Sequence, residues 1–307
     1  MEEVTPHVRS LYVKLDWFPQ PYPPNVHLIV DGDEAALIDA GFPDEQSITS
    51  RLEALQTFPN LNVRYIVITH HHFDHASGAP KLREATGARI VMHRDEAPLL
   101  ERATTEELPS DVEVPPERRE FAERVAEWRK EAAKAAPEEL VDDGDTLRVG
   151  GLTLRMVHSP GHTAGHLSPF LEEGRVLFAG DNVLGVGTTA VPPPPHGDMA
   201  QYVESLRKMQ ALNADLMCCG HGPVVKEPNR KLQELIDHRH EREEQIVALV
   251  REGRDTVQRL VRAIYPELDK QLLGMATGQV ISHLAKLERD GRVRTKGSGD
   301  ETSVTLT

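Results

Sequence analysis

Short apolar runs separated by turn-forming residues dominate the first 93 positions of the chain. Four of these runs are NVHLIVD (25–31), EAALIDA (34–40), VRYIVIT (63–69) and ARIVMH (88–93). Runs of this length, rich in Val, Ile and Leu and bounded by Gly, Pro, Asn or Asp, predict strands. Residues 44–56 instead repeat apolar positions with a helical period and begin at Asp44, a good N-cap. The alternation of strands and helices predicts a layered α/β domain.

Residues 95–140 interrupt this pattern with a charged, helix-prone segment. Phe121, Val125 and Trp128 follow one another at helical spacing and form an apolar stripe that must pack against another part of the protein. Two interpretations of this insertion stay open. It is either a solvated helical excursion from the surface or a lid over a pocket, because long insertions between core elements often line sites.

The composition changes again near residue 230. Three amphipathic helical segments follow, and the chain ends in a pattern typical of a β-hairpin around KGSGDE. Three helices and a hairpin form the winged-helix variant of the helix-turn-helix. We therefore expect two domains, a catalytic α/β domain over residues 1–232 and a winged-helix-like domain over residues 233–307.

Composition narrows the class of protein. Of the 307 residues, 39% are hydrophobic and 27% charged, so the chain can build a sizeable core. The net charge of −14 argues against coating nucleic acid or an anionic membrane by bulk charge. Apolar runs fall short of the roughly 20 residues of a membrane span, and the first residues do not resemble a secretory signal. We expect a cytoplasmic protein without a membrane partner, in which Cys218 and Cys219 are reduced.

A histidine cluster carries the chemistry. Residues 69–75 read THHHFDH directly after a predicted strand. Because alternate residues of an extended chain face the same way, His70 and His72 can converge on one metal ion while His71 faces away. Asp74 and His75, on the following turn, can point at a second ion. Imidazole and carboxylate are the ligands expected for a borderline divalent ion such as zinc, with iron or manganese as alternatives.

Three further candidates stand downstream. His162 lies in the Gly-bounded turn SPGHTAGH, Asp181 ends the strand of FAGDN, and His221 follows a strand in GHGP. Each stands where a strand leaves the sheet, which is where α/β folds gather their sites. A single histidine on a strand is usually structural, but this number of strand-end candidates favours a metal site.

The motif set resembles the metallo-β-lactamase superfamily, with its HxHxDH motif, GH turn, strand-end Asp and late His. The resemblance covers roughly residues 1–230 and implies a four-layer αβ/βα sandwich with a dinuclear metal centre. It implies that one metal is held by His70, His72 and His162 and the other by Asp74, His75 and His221. Asp181 would bridge the two ions, and His166 would orient a ligand through a hydrogen bond.

Such a centre implies a metal-dependent hydrolase. Two neighbouring cations lower the pKa of a shared water, and the bridging hydroxide attacks a carbonyl or phosphoryl centre. Asp74 and Asp181 would then be catalytic as well as metal-ligating, since Asp74 can also accept a hydrogen bond from the nucleophile. The antibiotic-cleaving members are secreted and lack an Asp at the bridging position, so Asp181 argues against lactam cleavage.

The substrate remains open between two classes. The winged-helix segment and the stretch GDNVLGVGTT (180–189) resemble a subfamily that includes endoribonucleases selective for single strands, which favours phosphodiester hydrolysis of single-stranded RNA. The alternative is a thioesterase of the glyoxalase II type, which shares all seven ligands and would act on a small-molecule acyl thioester.

The nearly neutral net charge of the C-terminal segment argues against RNA as the substrate. From Arg242 to the end there are 11 basic and 10 acidic residues, whereas nucleic-acid-binding winged helices are usually basic. A local cluster of Arg289, Arg292, Arg294 and Lys296 could contact phosphates, or the module could pack on the catalytic domain or form a homodimer. A remote alternative is a regulator that binds nucleic acid and uses its metal site only as a sensor.

Overall fold

The computed structural model describes residues 1–12, 22–102, 119–269 and 272–307. The chain divides into two compact units. The first comprises Met1–His158, Gly165–Gly187 and Ala214–Glu227, and the second comprises Ser159–Ala164, Thr188–Asn213 and Pro228–Thr307. Within the described ranges, every helix is too short or too polar to cross a lipid bilayer.

A seven-stranded sheet forms the centre of the first unit, with its strands in sequence order. The strands are β1 (Glu2–Thr5), β2 (Val8–Leu11), β3 (Val26–Asp31), β4 (Glu34–Ile38), β5 (Asn62–Val67), β6 (Arg89–His93) and β7 (Glu139–Val141). Strands β1 to β4 are antiparallel to their neighbours, and β4 to β7 run parallel. The helices between the parallel strands are α1 (Glu45–Gln56), α2 (Phe73–Ala76), α3 (Ala79–Thr86), α4 (Ala97–Arg102) and α5 (Arg119–Ala132).

A smaller, five-stranded sheet completes the strand layers of this unit. Its strands are β8 (Thr146–Val149), β9 (Leu152–Arg155), β10 (Phe170–Leu171), β11 (Val176–Gly180) and β12 (Leu216–Cys219). Their spatial order is β12, β11, β10, β9, β8, and only β11 and β12 are parallel. The carboxyl ends of these two strands therefore lie side by side, which brings together the chain segments that follow them.

The central strands are buried on both faces. In β4, Ala35 and Leu37 belong to the apolar cluster formed with the helices, while Ala36 and Ile38 belong to the cluster formed with the smaller sheet. A strand covered on both sides carries continuous apolar sequence rather than alternation. That explains the unbroken apolar runs from which the strands were predicted.

Two sequence predictions about helices are confirmed. The Asp44 carboxylate caps α1 by accepting a hydrogen bond from the Ser47 amide at 3.0 Å. The apolar stripe of α5 packs through Trp128, whose ring centroid lies 4.8 Å from that of Phe42 and 5.9 Å from that of Phe73. Much of the predicted lid, residues 103–118, lies outside the described residues, so the choice between lid and surface excursion stays open.

The second unit contains the predicted three helices and hairpin. Its elements are α6 (Met199–Ala211), α7 (Pro228–Arg251), α8 (Val257–Ile264), α9 (Leu273–Arg289), β13 (Val293–Lys296) and β14 (Ser303–Leu306). Ile246, Leu260, Leu284 and Val293 pack in its apolar core. The predicted boundary at residue 232 falls inside α7, and α6 belongs to the same compact unit as the winged helix. The domain boundary at residue 232 therefore stays a prediction.

Candidate metal centre

The histidine segment follows β5 in extended conformation until α2 begins. His72 occupies the position before α2 with φ −58° and ψ 143°. His70 and His72 turn to the same side, and Nε2 of His70 lies 3.0 Å from Nδ1 of His72. The intervening His71 points elsewhere, since both its amide and its ring contact the fully buried carboxylate of Glu96.

The single turn of α2 then presents Asp74 and His75 to the end of β11. Nε2 of His75 lies 3.3 Å from Oδ1 of Asp181 and 3.9 Å from Oδ2 of Asp74. His221, which follows β12, places its Nε2 3.3 Å from the Asp74 carboxylate and 3.6 Å from that of Asp181. Its Nδ1 lies 3.0 Å from the Tyr22 carbonyl oxygen, which fixes the ring orientation.

These residues form two overlapping groups of metal-ligating atoms. His70, His75 and Asp181 form one group, and Asp74, His75 and His221 form the other. Within each group the ligating atoms lie no more than 4.8 Å from one another. Five of the seven residues predicted as ligands therefore converge at one edge of the first unit, and His72 lies beside His70.

His162, the remaining predicted ligand, belongs to the second unit. There its Nδ1 donates to the carbonyl oxygen of Ala190 at 2.7 Å, with the Thr189 hydroxyl 3.4 Å away. A ring anchored through Nδ1 leaves Nε2 as its ligating atom. Its assignment to the metal of His70 and His72 stays a prediction.

At two glycines, the backbone lies so close to side chains of the cluster or to His166 that a side chain at either glycine would collide with them. At Gly220 a Cβ atom would collide with the Asp181 carboxylate and lie 2.9 Å from the His75 ring. At Gly180, where φ is +49°, a Cβ would lie 2.6 Å from Nε2 of His166. Only glycine fits at either place, so the glycines of FAGDN and CGHG are requirements of this geometry.

Asp39 is a functional residue that sequence analysis missed. It follows β4 and is 2% exposed. Its carboxylate accepts a hydrogen bond from His75 Nδ1 at 2.8 Å and another from the Thr69 amide at 2.8 Å. It therefore fixes which nitrogen of His75 faces the cluster and also ties down the start of the histidine segment. The signal was an aspartate at a strand end, the same signal that singled out Asp181.

Two other histidines support the centre. His166 is fully buried, and its Nε2 accepts a hydrogen bond from the Asp181 amide at 3.2 Å. His27 lies 3.1 Å from the Cys219 carbonyl oxygen, and burial lowers the pKa of His27 to about 4. As a neutral ring it donates to that carbonyl and holds the turn that carries His221.

The clustered acids control the charge of the facing histidines. Burial alone would lower the pKa of His75, but Asp181, Asp39 and Asp74 raise it well above its usual value. Burial likewise opposes the charge of His221, yet Asp181 and Asp74 raise its pKa to about 9. For Asp74, burial would raise the pKa, but the charge of His75 and a hydrogen bond from His221 lower it. Protons on the imidazoles thus balance the acids when no cation does.

The residues present fit a divalent metal centre. Neutral imidazole and carboxylate are the donors that zinc, iron and manganese accept. Nε2 of His75 is buried and faces Oδ1 of Asp181 at 3.3 Å, but it forms no well-aligned hydrogen bond among the described residues. A buried polar atom left in this way is costly unless something else occupies its lone pair. The donor set and this orphaned nitrogen both favour cation binding at the cluster.

A second histidine pair lies away from this cluster. His93 and His158 stack with ring centroids 3.9 Å apart and planes inclined by 9°, near the carboxylate of Asp95. Imidazole lone pairs lie in the ring plane, so two parallel stacked rings cannot both direct a lone pair at one ion. In this arrangement the pair is a packing contact.

The fold and the cluster define the class of protein, an α/β fold with a histidine–aspartate cluster able to bind metal and a winged helix. The chain matches the Metallo-beta-lactamase superfamily over residues 19–221 and the Beta-lactamase associated winged helix domain over residues 256–301. It therefore belongs to the metallo-beta-lactamase superfamily and is a hydrolase of that superfamily. The predicted superfamily and the predicted winged-helix domain are both confirmed.

Named relatives extend along most of the chain. A Beta-lactamase-like protein 2 homolog from Caenorhabditis elegans is 31% identical over 270 residues, covering 88% of this chain and 80% of that protein. An Atrochrysone carboxyl ACP thioesterase from Aspergillus fumigatus is 29% identical over 286 residues, covering 88% of this chain and 58% of that protein. Among solved structures, a metallo-beta-lactamase family protein from Thermus thermophilus superposes with a TM-score of 0.73 at 25% identity, covering 99% of this chain and 100% of that one.

Proposed function

We propose that this chain hydrolyses the thioester bond of an acyl group carried on a pantetheine-type thiol. A fungal relative that covers 88% of the chain is named as an acyl-carrier-protein thioesterase. Because the similarity covers 88% of this chain, more than the superfamily domain alone, it supports the thioesterase alternative over most of the chain. Two divalent ions at the centre, zinc by our proposal, would activate water and stabilise the negative charge that develops on a carbonyl oxygen.

The chain's own residues arrange the site for this reaction. Asp39 holds His75 with Nε2 toward the cluster, and the Tyr22 carbonyl holds His221 in the same way. His166 fixes the backbone of Asp181. These two rings and the Asp181 backbone therefore have their orientation set by hydrogen bonds behind them, which reduces the reorganisation needed when substrate binds.

The leaving group also favours a thioester. A thiol has a pKa of about 8.5, so it can depart as a thiolate near neutral pH without a dedicated acid. A ribose oxygen is far more basic and needs a proton as it leaves. Hydrolysis of a thioester therefore demands less of the cluster's side chains than cleavage of RNA does.

The observation that favours a thioester over RNA as the substrate is that the outward side of α9 is hydrogen-bonded within its own unit. In a nucleic-acid-binding winged helix, the third helix offers its outward side to the groove. Here Gln279 donates to the Val191 carbonyl oxygen at 2.9 Å, and Ser282 donates to the Pro192 carbonyl oxygen at 3.4 Å. The outward side of α9 is thus bonded to a loop of its own unit.

Two of the four cations of the predicted basic cluster are also engaged. Arg289 pairs with Asp198 at 2.6 Å, and Arg292 pairs with Glu244 at 2.8 Å. A phosphate backbone would have to displace these carboxylates to use the arginines. This pairing supports the interpretation of the winged helix as a packing module.

RNA hydrolysis remains a second candidate because of Arg294. Arg294 and Lys296 stand exposed on β13, the first strand of a segment that matches a winged-helix domain. Exposed cations on a wing strand are the feature that contacts phosphates in other winged helices. We keep single-stranded RNA as the competing substrate in the test below.

The test compares substrates on the metal-loaded full chain. We would measure release of free thiol from an acyl-CoA and an acyl-pantetheine, and cleavage of a labelled single-stranded RNA, each with and without EDTA. EDTA-sensitive thiol release at least ~100 times faster than RNA cleavage, a gap of about 2.7 kcal/mol in activation free energy, supports the proposal. EDTA-sensitive RNA cleavage with inert thioesters would overturn it, as would turnover of neither. Arg294→Gln sharpens the result, because it should slow only an RNA reaction.

A further inference from the structure

A cavity of about 280 Å³ lies wholly within the second unit. Its walls come from α7, from residues 265–268 and 272–283 before and along α9, and from residues 188–190. This volume is near the lower end of the range seen for small-molecule sites in proteins. None of the predicted metal ligands lines it.

Arg239 forms the cationic floor of this cavity and is 3% exposed. Its guanidinium donates to the Thr189 carbonyl oxygen at 2.9 Å and packs over the Tyr202 ring at 5.1 Å. Nε of Arg239 is buried without a hydrogen-bond partner, and among the described residues no carboxylate lies within 4.0 Å of the group. A buried charge without a counter-charge is strongly destabilising, which points to a missing anion.

A second arginine and a histidine lie beside it. Arg242 packs over the Tyr265 ring at 5.0 Å, and its guanidinium donates to the neutral amide of Gln245 at 2.6 Å. Burial, and then the charges of Arg239 and Arg242, lower the pKa of His238. The neutral His238 lies beside the two arginines, which give one wall a positive potential in a chain whose net charge is −14.

Within the described part of the chain, two carboxylates of α7 lie near this wall. Glu241 partly opposes the lowering of the His238 pKa but forms no ion pair within 4.0 Å with either arginine, and Glu243 is already engaged. Glu243 is 3% exposed, pairs with Lys286 at 2.9 Å and lies 3.7 Å from Nδ1 of His283. Its charge is therefore offset by the lysine rather than by the arginines of the cavity. The positive character of the cavity wall persists.

The opposite wall is apolar. Leu268, Leu272, Met275 and Ala276 line it, and Leu272 and Met275 are 44% and 52% exposed. Large apolar side chains exposed beside a cationic pocket are typical of a site that binds an amphiphilic ligand.

From this arrangement we infer that the cavity is a binding site for a small amphiphilic anion. The ligand's carboxylate or phosphate bonds to Arg239 and Arg242, since guanidinium groups suit planar or tetrahedral oxyanions. Its short apolar group lies on Leu268, Leu272 and Met275. The inference concerns a second site and does not depend on the identity of the hydrolysed bond.

The position of the site gives a bound anion a route to the predicted ligand His162. Arg239 bonds to the Thr189 carbonyl oxygen, and the neighbouring Ala190 carbonyl oxygen accepts from His162 Nδ1. All of these residues belong to the second unit. An anion that binds the Arg239 guanidinium would therefore compete with the hydrogen bond from Arg239 to Thr189. That competition would affect the loop whose Ala190 carbonyl oxygen orients His162.

Isothermal titration calorimetry on the full chain tests this inference with three probes of equal chain length: hexanoate, hexyl phosphate and hexanol. We expect at least one anion to bind about tenfold more tightly than hexanol, because a charge-assisted hydrogen bond exceeds a neutral one by roughly that factor. Preference for hexanoate would indicate a free acid as the natural ligand, and preference for hexyl phosphate a phosphorylated carrier. Equal binding of all three, or binding of none, would overturn the inference.

Matched variants locate the site. Arg242→Gln should weaken anion binding about tenfold, whereas Arg251→Gln, the same change at an exposed position of the same helix, should leave it unchanged. Arg239→Gln should weaken it further, and its melting curve shows whether it folds. Equal affinities for Arg242→Gln and Arg251→Gln would place the anion elsewhere and contradict the assignment.

Discussion

The metal cluster and the cavity of the second unit differ in the sign of their uncompensated charge. The cluster has an excess of carboxylates, and the cavity has an excess of guanidinium groups. At the cluster, acids outnumber available cations, and protonated His75 and His221 offset them. At the cavity, Arg239 and Arg242 have no carboxylate within 4.0 Å among the described residues. The first arrangement attracts cations and the second attracts an anion. A net charge of −14 therefore says little about either site, because local pairing decides what each binds.

Support behind the functional groups also differs between the two regions. Histidines and carboxylates of the cluster are oriented by hydrogen bonds from neighbouring elements, as Asp39 does for His75. The cavity places its arginines over aromatic rings, which fix their position while leaving their donors available. The cluster should therefore be intolerant of small changes, and the cavity should be more tolerant.

Asp181→Ala is expected to have the largest effect. It removes the carboxylate that lies near both His75 and His221, so repulsion between two bound cations is no longer offset. Activity should fall on the order of 10³-fold or more, and at least one metal ion should be lost. Elemental analysis measures the ions, with the exposed Asp215→Ala as control. Two ions retained in Asp181→Ala would refute its bridging role.

Gly220→Ala should come next. The added methyl group would collide with the Asp181 carboxylate and crowd His75, so the cluster must open. We expect metal affinity to fall about 100-fold while secondary structure persists. Gly274→Ala is the matched control, because a Cβ there meets no atom within 4 Å. Unchanged metal affinity in Gly220→Ala would contradict the close contact between the Gly220 backbone and the Asp181 carboxylate.

Asp39→Asn tests the support behind His75. The amide cannot offer the same charge to the imidazole, and metal affinity should fall about 10- to 100-fold. The comparison is Asp33→Asn, an exposed aspartate of the turn before β4. If competition with a chelator gives the same affinity for both variants, Asp39 only stabilises the fold.

Metal affinity should also depend on pH in a defined direction. Without a cation the pKa of His221 is about 9, so at neutral pH an incoming ion must displace its proton. Affinity should rise about tenfold per pH unit between about pH 6 and 8 and level off above about pH 9. The same raised pKa stabilises the metal-free fold below about pH 6.5, and that contribution disappears as the pH rises through about 9. A pH-independent affinity in a chelator titration would contradict the assignment of His221 as a ligand.

His71→Ala should have the smallest effect on the metal. Its ring bonds to Glu96 and packs beside the His72 ring at 4.8 Å, but its nitrogens belong to none of the metal-ligating groups of the described residues. Both ions should remain, with affinity within about threefold of the unaltered chain. Loss of both ions would mean that the alternation of side chains along residues 70–72 has been inverted.

Much of the fold and of the cluster could be predicted from the sequence, because both depend on local patterns. Central strands of the large sheet such as β4 and β6 are largely continuous apolar runs, and most ligand candidates follow a strand closely. His162 is the exception, since β9 already ends at Arg155. The cap at Asp44 and the stripe ending in Trp128 were visible in the same way. What Trp128 packs against was not, since Phe42 lies far from it in sequence.

Asp39 and the cavity escaped prediction for different reasons. Asp39 carries the strand-end signal that singled out Asp181, but Asp31 ends a strand nearby as well, so that signal alone does not select Asp39. The cavity joins Thr189, Arg239 and Leu272, which belong to separate segments with ordinary helical or loop patterns. Only the packing of the second unit shows that Arg239 and Arg242 lack acidic partners within 4.0 Å among the described residues.

The central claim is that neighbouring imidazoles and carboxylates hold two cations at the strand ends of the first unit. The most direct measurement is the metal content of the purified chain, taken by elemental analysis after saturation with zinc and removal of loosely bound ions. We predict two zinc ions per chain, falling to one or none in Asp181→Ala. One ion or none in the unaltered chain would contradict the claim.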